Sequence, residues 1–256
     1  MRALMAIAKR EWRSMFISPL AWALLAVLMA INAFMFNAAL QNYVMQQVQF
    51  QAYRGMDGGQ SITQWIVAPT FGNAAVLLLL LMPLITMRLL ADEKRRNTWE
   101  ALASSPVTPM QIVLGKYLGL LFFIATTLLL LALLPLSLYF YGSPDTGQVL
   151  SGLLGLFLVS AAFGAVGLAT SSATKNPMVA AVTGFGVLLL LWIISWMGKA
   201  GGEGIEPVLN YLSIMQHYER FLMGVITSAD LVYFLLVIAG GLLFARQRLL
   251  ADRIAA

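Results

Sequence analysis

Residues Tyr117–Phe140 read YLGLLFFIATTLLLLALLPLSLYF, a run without one charged side chain. About 20 mostly apolar residues suffice for a helix to cross the roughly 30 Å hydrocarbon core of a bilayer. In lipid every backbone N–H and C=O must be satisfied internally, and a run of this composition does that as a helix. Working outward, five more stretches have the same character: Pro19–Leu40, Trp65–Met87, Val149–Ser171, Pro177–Met197 and Leu231–Ala245. The second is interrupted by Asn73 and kinked at Pro83, and Pro135 lies near the end of the third. The last is short unless it starts near Phe221 and tilts. The expected fold is an all-α integral membrane protein with six transmembrane helices, residues 1–256 forming a single domain.

Composition agrees. The 256 residues are 60% hydrophobic and 11% charged, with mean hydropathy +0.82, against about 25% charged residues in soluble domains. So little polar surface calls for lipid as solvent. The absence of cysteine excludes disulfide staples, thiolate metal sites and a cysteine nucleophile. Met1–Arg13 carries Arg2, Lys9, Arg10 and Arg13 together with Glu11 and Trp12, and the apolar run after it is too long for a signal h-region, so no cleavable signal is expected.

The net charge of +5 follows topology. With six spans both termini share a side. That side receives Arg2, Lys9, Arg10, Arg13, Arg88, Lys94, Arg95, Arg96, Lys116, Lys175, Arg246, Arg248 and Arg253, and the other only Arg54, Lys199 and Arg220. The positive-inside rule makes the first side cytoplasmic, and the expected location is the bacterial inner membrane. No nucleic-acid footprint accompanies the charge. Trp65, Tyr139, Tyr141, Trp192 and Trp196 fall at outer span ends, and Trp12, Trp22 and Trp99 near the inner face, as interfacial belts do.

Three segments outside the spans stand out. In residues 1–18, Leu4, Ile7, Ala8, Trp12, Met15 and Phe16 share a helical face away from Lys9, Arg10 and Arg13, the pattern of an interfacial amphipathic helix. In residues 88–116, dense charge from Asp92 to Arg96 precedes Thr98 as an N-cap, with Glu100 in the first turn of a short helix ending before Pro106. Val107, Thr108 and Pro109 then turn, and Met110 resumes helix. A short rigid helix joined to two spans is suited to docking in a partner's groove. In residues 198–228, Gly201, Gly202 and Gly204 give a turn, and Pro207–Met223 is apolar enough to dip back into the membrane.

The 88–116 segment resembles the coupling region of the ABC type-2 permease family, in Glu93 to Arg96, Thr98-Trp-Glu100-Ala-Leu102, Ser105-Pro-Val107 and Gly115-Lys116. The likeness extends over nearly the whole chain, and Leu212–Tyr233 also resembles the gliding-motility-type branch. The resemblance implies a dimer of permeases, as two copies or with a homologue, working with a dimer of cytoplasmic ABC ATPases that bind ATP and Mg, and an additional envelope subunit is compatible with it. It further implies export, outer re-entrant helices, and ATPase coupling through Glu93, Arg95, Thr98, Trp99, Glu100, Leu102, Ser105, Pro106 and Val107, Trp99 having no special role of its own. A separate ATPase is also indicated directly. Neither Gly115-Lys116 nor Gly198-Lys199 sits in Gly-x-x-x-x-Gly-Lys-[Ser/Thr], so neither forms a phosphate-binding loop.

Other chemistry is sparse. His217, the one histidine, has too few partners for zinc and reads as a surface or interface residue. The 14 methionines are scattered through the spans as packing residues. No ionisable residue is expected in a span core, which argues against ion coupling. Asn32, Asn37 and Asn73 are the polar groups within spans, facing either a pathway, a dimer seam or a neighbouring helix. In the fourth span Ala161, Ala165 and Ala169 form a small-residue stripe beside Ser160, Gly164 and Gly167, suited to close packing within the chain, or to a dimer seam. Three function classes remain: an ATP-driven export permease, a non-transporting coupling subunit of an envelope machine, and, disfavoured by the missing intramembrane charges, a secondary transporter or intramembrane enzyme.

Overall fold

The computed structural model describes residues 2–54, 61–96, 108–140, 142–201 and 206–255. The described residues form helices α1 (Arg2–Ile17), α2 (Pro19–Arg54), α3 (Ala68–Thr86), α4 (Ala91–Arg95), α5 (Pro109–Ser137), α6 (Thr146–Ala173), α7 (Pro177–Gly201), α8 (Glu206–Leu212), α9 (Ile214–Leu222) and α10 (Ser228–Ala255). A π-helical turn, Thr63–Val67, leads into α3, and no strand occurs among them. Six helical stretches are long and apolar enough to cross a membrane: Pro19–Gln49, Thr63–Arg95, Pro109–Phe140, Thr146–Ala173, Pro177–Trp196 and Ser228–Ile254. The chain is an all-α integral membrane protein.

Most spans are longer than the sequence indicates, most clearly the first and the last. The first helix continues past Leu40 through a glutamine-rich but uncharged segment to Arg54, 36 residues in all, or about 54 Å at 1.5 Å per residue. The last helix gains most of its length past Ala245. It starts at Ser228 and runs 28 residues to Ala255, carrying Arg246, Arg248 and Arg253 on a continuous helix.

Helix α6 is the axis of the bundle. It packs against α3, α5, α7, α9 and α10 and is the most buried of the spans. Its small residues explain this. Lipid removes the hydrophobic drive for helix association, so close backbone approach and van der Waals contact hold the spans together. A Cβ on Gly164 would lie 2.6 Å from Leu120 Cδ2, and one on Gly155 would lie 2.5 Å from Phe221 Cβ. Ala161, Ala165 and Ala169 are buried inside the single chain, and the Ala161 carbonyl accepts a 3.0 Å hydrogen bond from Tyr117. The stripe is therefore used for packing within the chain.

The amphipathic N-terminal helix sits on protein. Gly115 and Gly119 open a trough on α5 into which α1 settles: a Cβ at Gly115 would fall 2.8 Å from Ile7 Cβ, and one at Gly119 would fall 2.7 Å from Glu11 Cβ and 2.9 Å from the Ala8 carbonyl. Phe16 completes the contact, its ring 5.3 Å from that of Phe123. At the opposite end of the bundle α8 and α9 follow the fifth span, with Ile214, Tyr218 and Phe221 of α9 fully buried. Tyr218 donates to the Phe71 carbonyl at 2.9 Å, and burial pushes its phenol well above the ordinary value, so it stays a donor. Gly224, with φ +83°, provides the left-handed turn from α9 into α10.

One aromatic departs from the belt pattern. Trp192 is buried against Phe163, ring centroids 6.2 Å apart, because α7 turns that side chain toward α6, whereas Trp65 and Trp196 are exposed.

Overpacking a close helix contact costs about 1–3 kcal/mol. Gly119→Val is expected to lower the Tm of the detergent-solubilised protein by several degrees. Gly186→Ala, where an added Cβ meets nothing within 4 Å, is expected to leave the Tm unchanged or raise it. Heating scans of the two purified variants against wild type check both.

Candidate functional site

The third helix ends at Thr86, and the chain bends through Met87–Leu90 before α4. A helix start leaves backbone N–H groups without partners, and Leu90, at the cap position of α4, supplies no side-chain oxygen. The missing cap comes from another helix. Ser171 Oγ of α6 accepts from the N–H groups of Leu90 and Ala91, both at 3.1 Å, and donates to the Met87 carbonyl at 3.0 Å. The elbow between the second span and the 97–107 segment is thereby fixed to the central helix.

Charge fixes it to three more. Lys116, in the second turn of α5 and 2% exposed, places Nζ 2.8 Å from both Glu11 Oε1 of α1 and Glu93 Oε1 of α4. Arg10 reaches Glu93 from the rim at 3.5 Å. Lys94, also buried, donates to the Ser172 carbonyl at the end of α6 and to Asp252 near the end of α10. Moving an ammonium out of water costs several kcal/mol unless it is paired and hydrogen-bonded; both lysines meet that condition by drawing separate helices together. α4, a five-residue helix, is thus anchored to α1, α5, α6 and α10.

The residues singled out from sequence divide into three groups. Glu93 lies at the centre of this junction. Arg95 stands at its surface, paired with Asp92 Oδ1 at 2.8 Å. Thr98, Trp99, Glu100, Leu102, Ser105, Pro106 and Val107 lie outside the described residues. Beyond them the chain re-enters helix cleanly: Thr108 caps α5 by accepting from Gln111 N at 3.3 Å, and the Gln111 side chain accepts from Thr108 N at 3.1 Å, a capping box with Pro109 at the first helical position. Asn32 is buried and donates to the Leu28 carbonyl one turn back at 2.9 Å, whereas Asn37 and Asn73 lie on the exterior of the chain.

A second polar cluster lies at the far end of the bundle. His217 is 2% exposed and Asp230 fully buried, which corrects the reading of His217 as a surface residue. Asp230 sits in the first turn of α10. It faces His217 Nδ1 at 2.5 Å and accepts from Arg220 Nε at 2.9 Å and from Thr227. Tyr211 of α8 contributes a carbonyl 2.9 Å from His217 Nε2, so that nitrogen carries a hydrogen. Tyr233 of α10 stacks on the imidazole at 4.0 Å and donates to the Leu212 carbonyl at 2.7 Å. The knot ties α8 and α9 to α10. Spacing hints at part of it, since Asp230 opens a helix where an acid is favoured, but its partners come together only through the turn at Gly224. Among the described residues no group of three or more His, Asp or Glu side chains could hold a metal ion.

Removing the lysine at the junction of α1, α4 and α5 leaves two carboxylates facing one another in a poorly hydrated site. Lys116→Met is expected to cost about 3 kcal/mol, and adding Glu11→Gln is expected to recover part of the loss. Thermal unfolding of the single and double variants, followed by circular dichroism, reads both changes.

Comparison with curated proteins gives no match. The family model described as ABC-2 family transporter protein matches residues 5–245, which takes in the first five spans, the elbow and most of α10, the sixth span. With helices in that order and a polar junction where the second and third spans meet, the chain belongs to the ABC-2 transporter family, whose members are membrane subunits of ABC transporters.

Proposed function

We propose that this chain is the permease subunit of an ATP-driven exporter of the bacterial inner membrane, driven by a separate cytoplasmic ATPase that grips residues 97–107. ATP and Mg act on that partner. The observation that carries the reading is the root of the gripped segment: α4 and the capped start of α5 are wired to α1, α6 and α10 by Lys116, Lys94 and Ser171. A close-packed interior shifts as a unit and resists gradual deformation, so a push on 97–107 displaces several spans together.

Helix α10 gives that push a route to the other face. Asp252 belongs to the junction and Asp230 to the far knot, and the 22 residue steps between them span about 33 Å as continuous helix. A tilt of α10 begun at Lys94 would carry α8 and α9 with it. In this reading those two helices form the re-entrant cap of the pathway, opened when the ATPases close. Family membership supports export and a second permease copy facing this one. The basic end of the bundle, with both termini, faces the cytoplasm on the positive-inside rule.

The absence of cysteine makes single-site labelling clean. Glu100→Cys is expected to react with a membrane-impermeant maleimide only after the cytoplasmic side is opened, and to cross-link to a co-purifying ATPase. Val208→Cys, exposed on α8, is expected to react in intact spheroplasts. Labelling of position 100 from outside, or purification with no ATPase attached, would overturn the assignment. In proteoliposomes with that ATPase, Lys116→Met is expected to reduce ATP hydrolysis at least several-fold.

A further inference from the structure

A groove of about 410 Å³ opens between α1, the start of α2 and the α3–α4 elbow. Its walls combine two chemistries. Leu24, Leu84 and Ile85 form an apolar floor continuous with the spans, and Arg10, Arg88 and Arg96 stand around the rim. The carboxylates that share the rim are already engaged: Glu11 and Glu93 by Lys116, and Asp92 by Arg95 and Arg96 at 2.8 and 3.1 Å. Arg88 is different. It is exposed at the end of α3 and, among the described residues, has neither an ion-pair nor a hydrogen-bond partner.

We propose that this groove holds an anionic phospholipid of the surrounding leaflet, its phosphate on Arg88 with Arg10 and Arg96 beside it, and an acyl chain over Leu24, Leu84 and Ile85. The charge complementarity is one-sided. A soluble phosphate would use the cations and leave the floor wet, and an electroneutral lipid would cover the floor while leaving Arg88 without a net anion. Basic pockets between spans next to a headgroup layer are the general setting for such binding. The bound lipid would sit as a wedge between α1 and the elbow, so leaflet composition would act on the same junction that the 97–107 segment pulls.

The full chain in nanodiscs of phosphatidylcholine mixed with phosphatidylglycerol, followed by native mass spectrometry of the released protein, reads retained lipid directly. Wild type is expected to retain phosphatidylglycerol in preference to phosphatidylcholine. Arg88→Gln is expected to lose that retention by roughly fivefold and Arg88→Lys to keep most of it. Lys175→Gln, the same charge change at an exposed site on the α6–α7 turn, is expected to behave as wild type. Equal losses in Arg88→Gln and Lys175→Gln, equal retention of the two lipids, or displacement of phosphatidylglycerol by added inorganic phosphate would each overturn the proposal. Both leaflets of the nanodisc contain the lipid, so the result does not depend on which face is cytoplasmic.

Discussion

A lysine with almost no exposed surface, in a protein surrounded by lipid, must bring its own counterions, and Lys116 brings two. Glu11 and Glu93 approach its ammonium at the same distance, 2.8 Å, from helices far apart in sequence. The arrangement places α1 on α5 and the α4 elbow beside both, and the glycines at 115 and 119 exist to let that happen, since any side chain there would collide with Ile7 or Glu11. Charge and steric fit enforce each other. The glycines without the lysine would leave two carboxylates opposed, and the lysine without the glycines could not reach Glu11.

The rest of the bundle inherits its order from this end. Ser171 supplies the cap that the elbow lacks, and Lys94 joins the elbow to the last helix, so four spans or their extensions share one polar junction. At the far end Asp230 performs the same task with different chemistry: a buried carboxylate whose charge is met by Arg220 and whose remaining oxygen positions are filled by His217 and Thr227. Between the two knots run helices held by small residues and dispersion contacts. Such a molecule has rigid, polar ends and a closely fitted apolar middle, which is a suitable construction for passing a displacement from one membrane face to the other.

Substrate recognition leaves a fainter trace. Asn32 is satisfied within its own helix on the donor side, which favours a packing role, whereas Asn37 and Asn73 are exposed on the exterior of the chain. That division among three similar residues follows from helix rotation: a helix of 3.6 residues per turn turns Asn32 and Asn37 to different sides, and the sequence carries no mark of which side meets a neighbour.

What the sequence alone determined was the solvent and the spans. Hydropathy over about 20 residues is a local property, so six helices, the amphipathic start, the small-residue stripe of the fourth span, the Thr108 turn and the family resemblance of the 88–116 segment were all readable without coordinates. Glu93 and Arg95 were legible as parts of a charged elbow. The tertiary structure alone decided the pairings: Lys116 with Glu11 across 105 positions, Lys94 with Asp252 across 158, His217 with Asp230 through a left-handed turn, Trp192 turned inward. The physical reason is that a charged residue near a span end looks the same in sequence whether it faces headgroups or a partner, and only the rotation and packing of its helix settle which environment it meets.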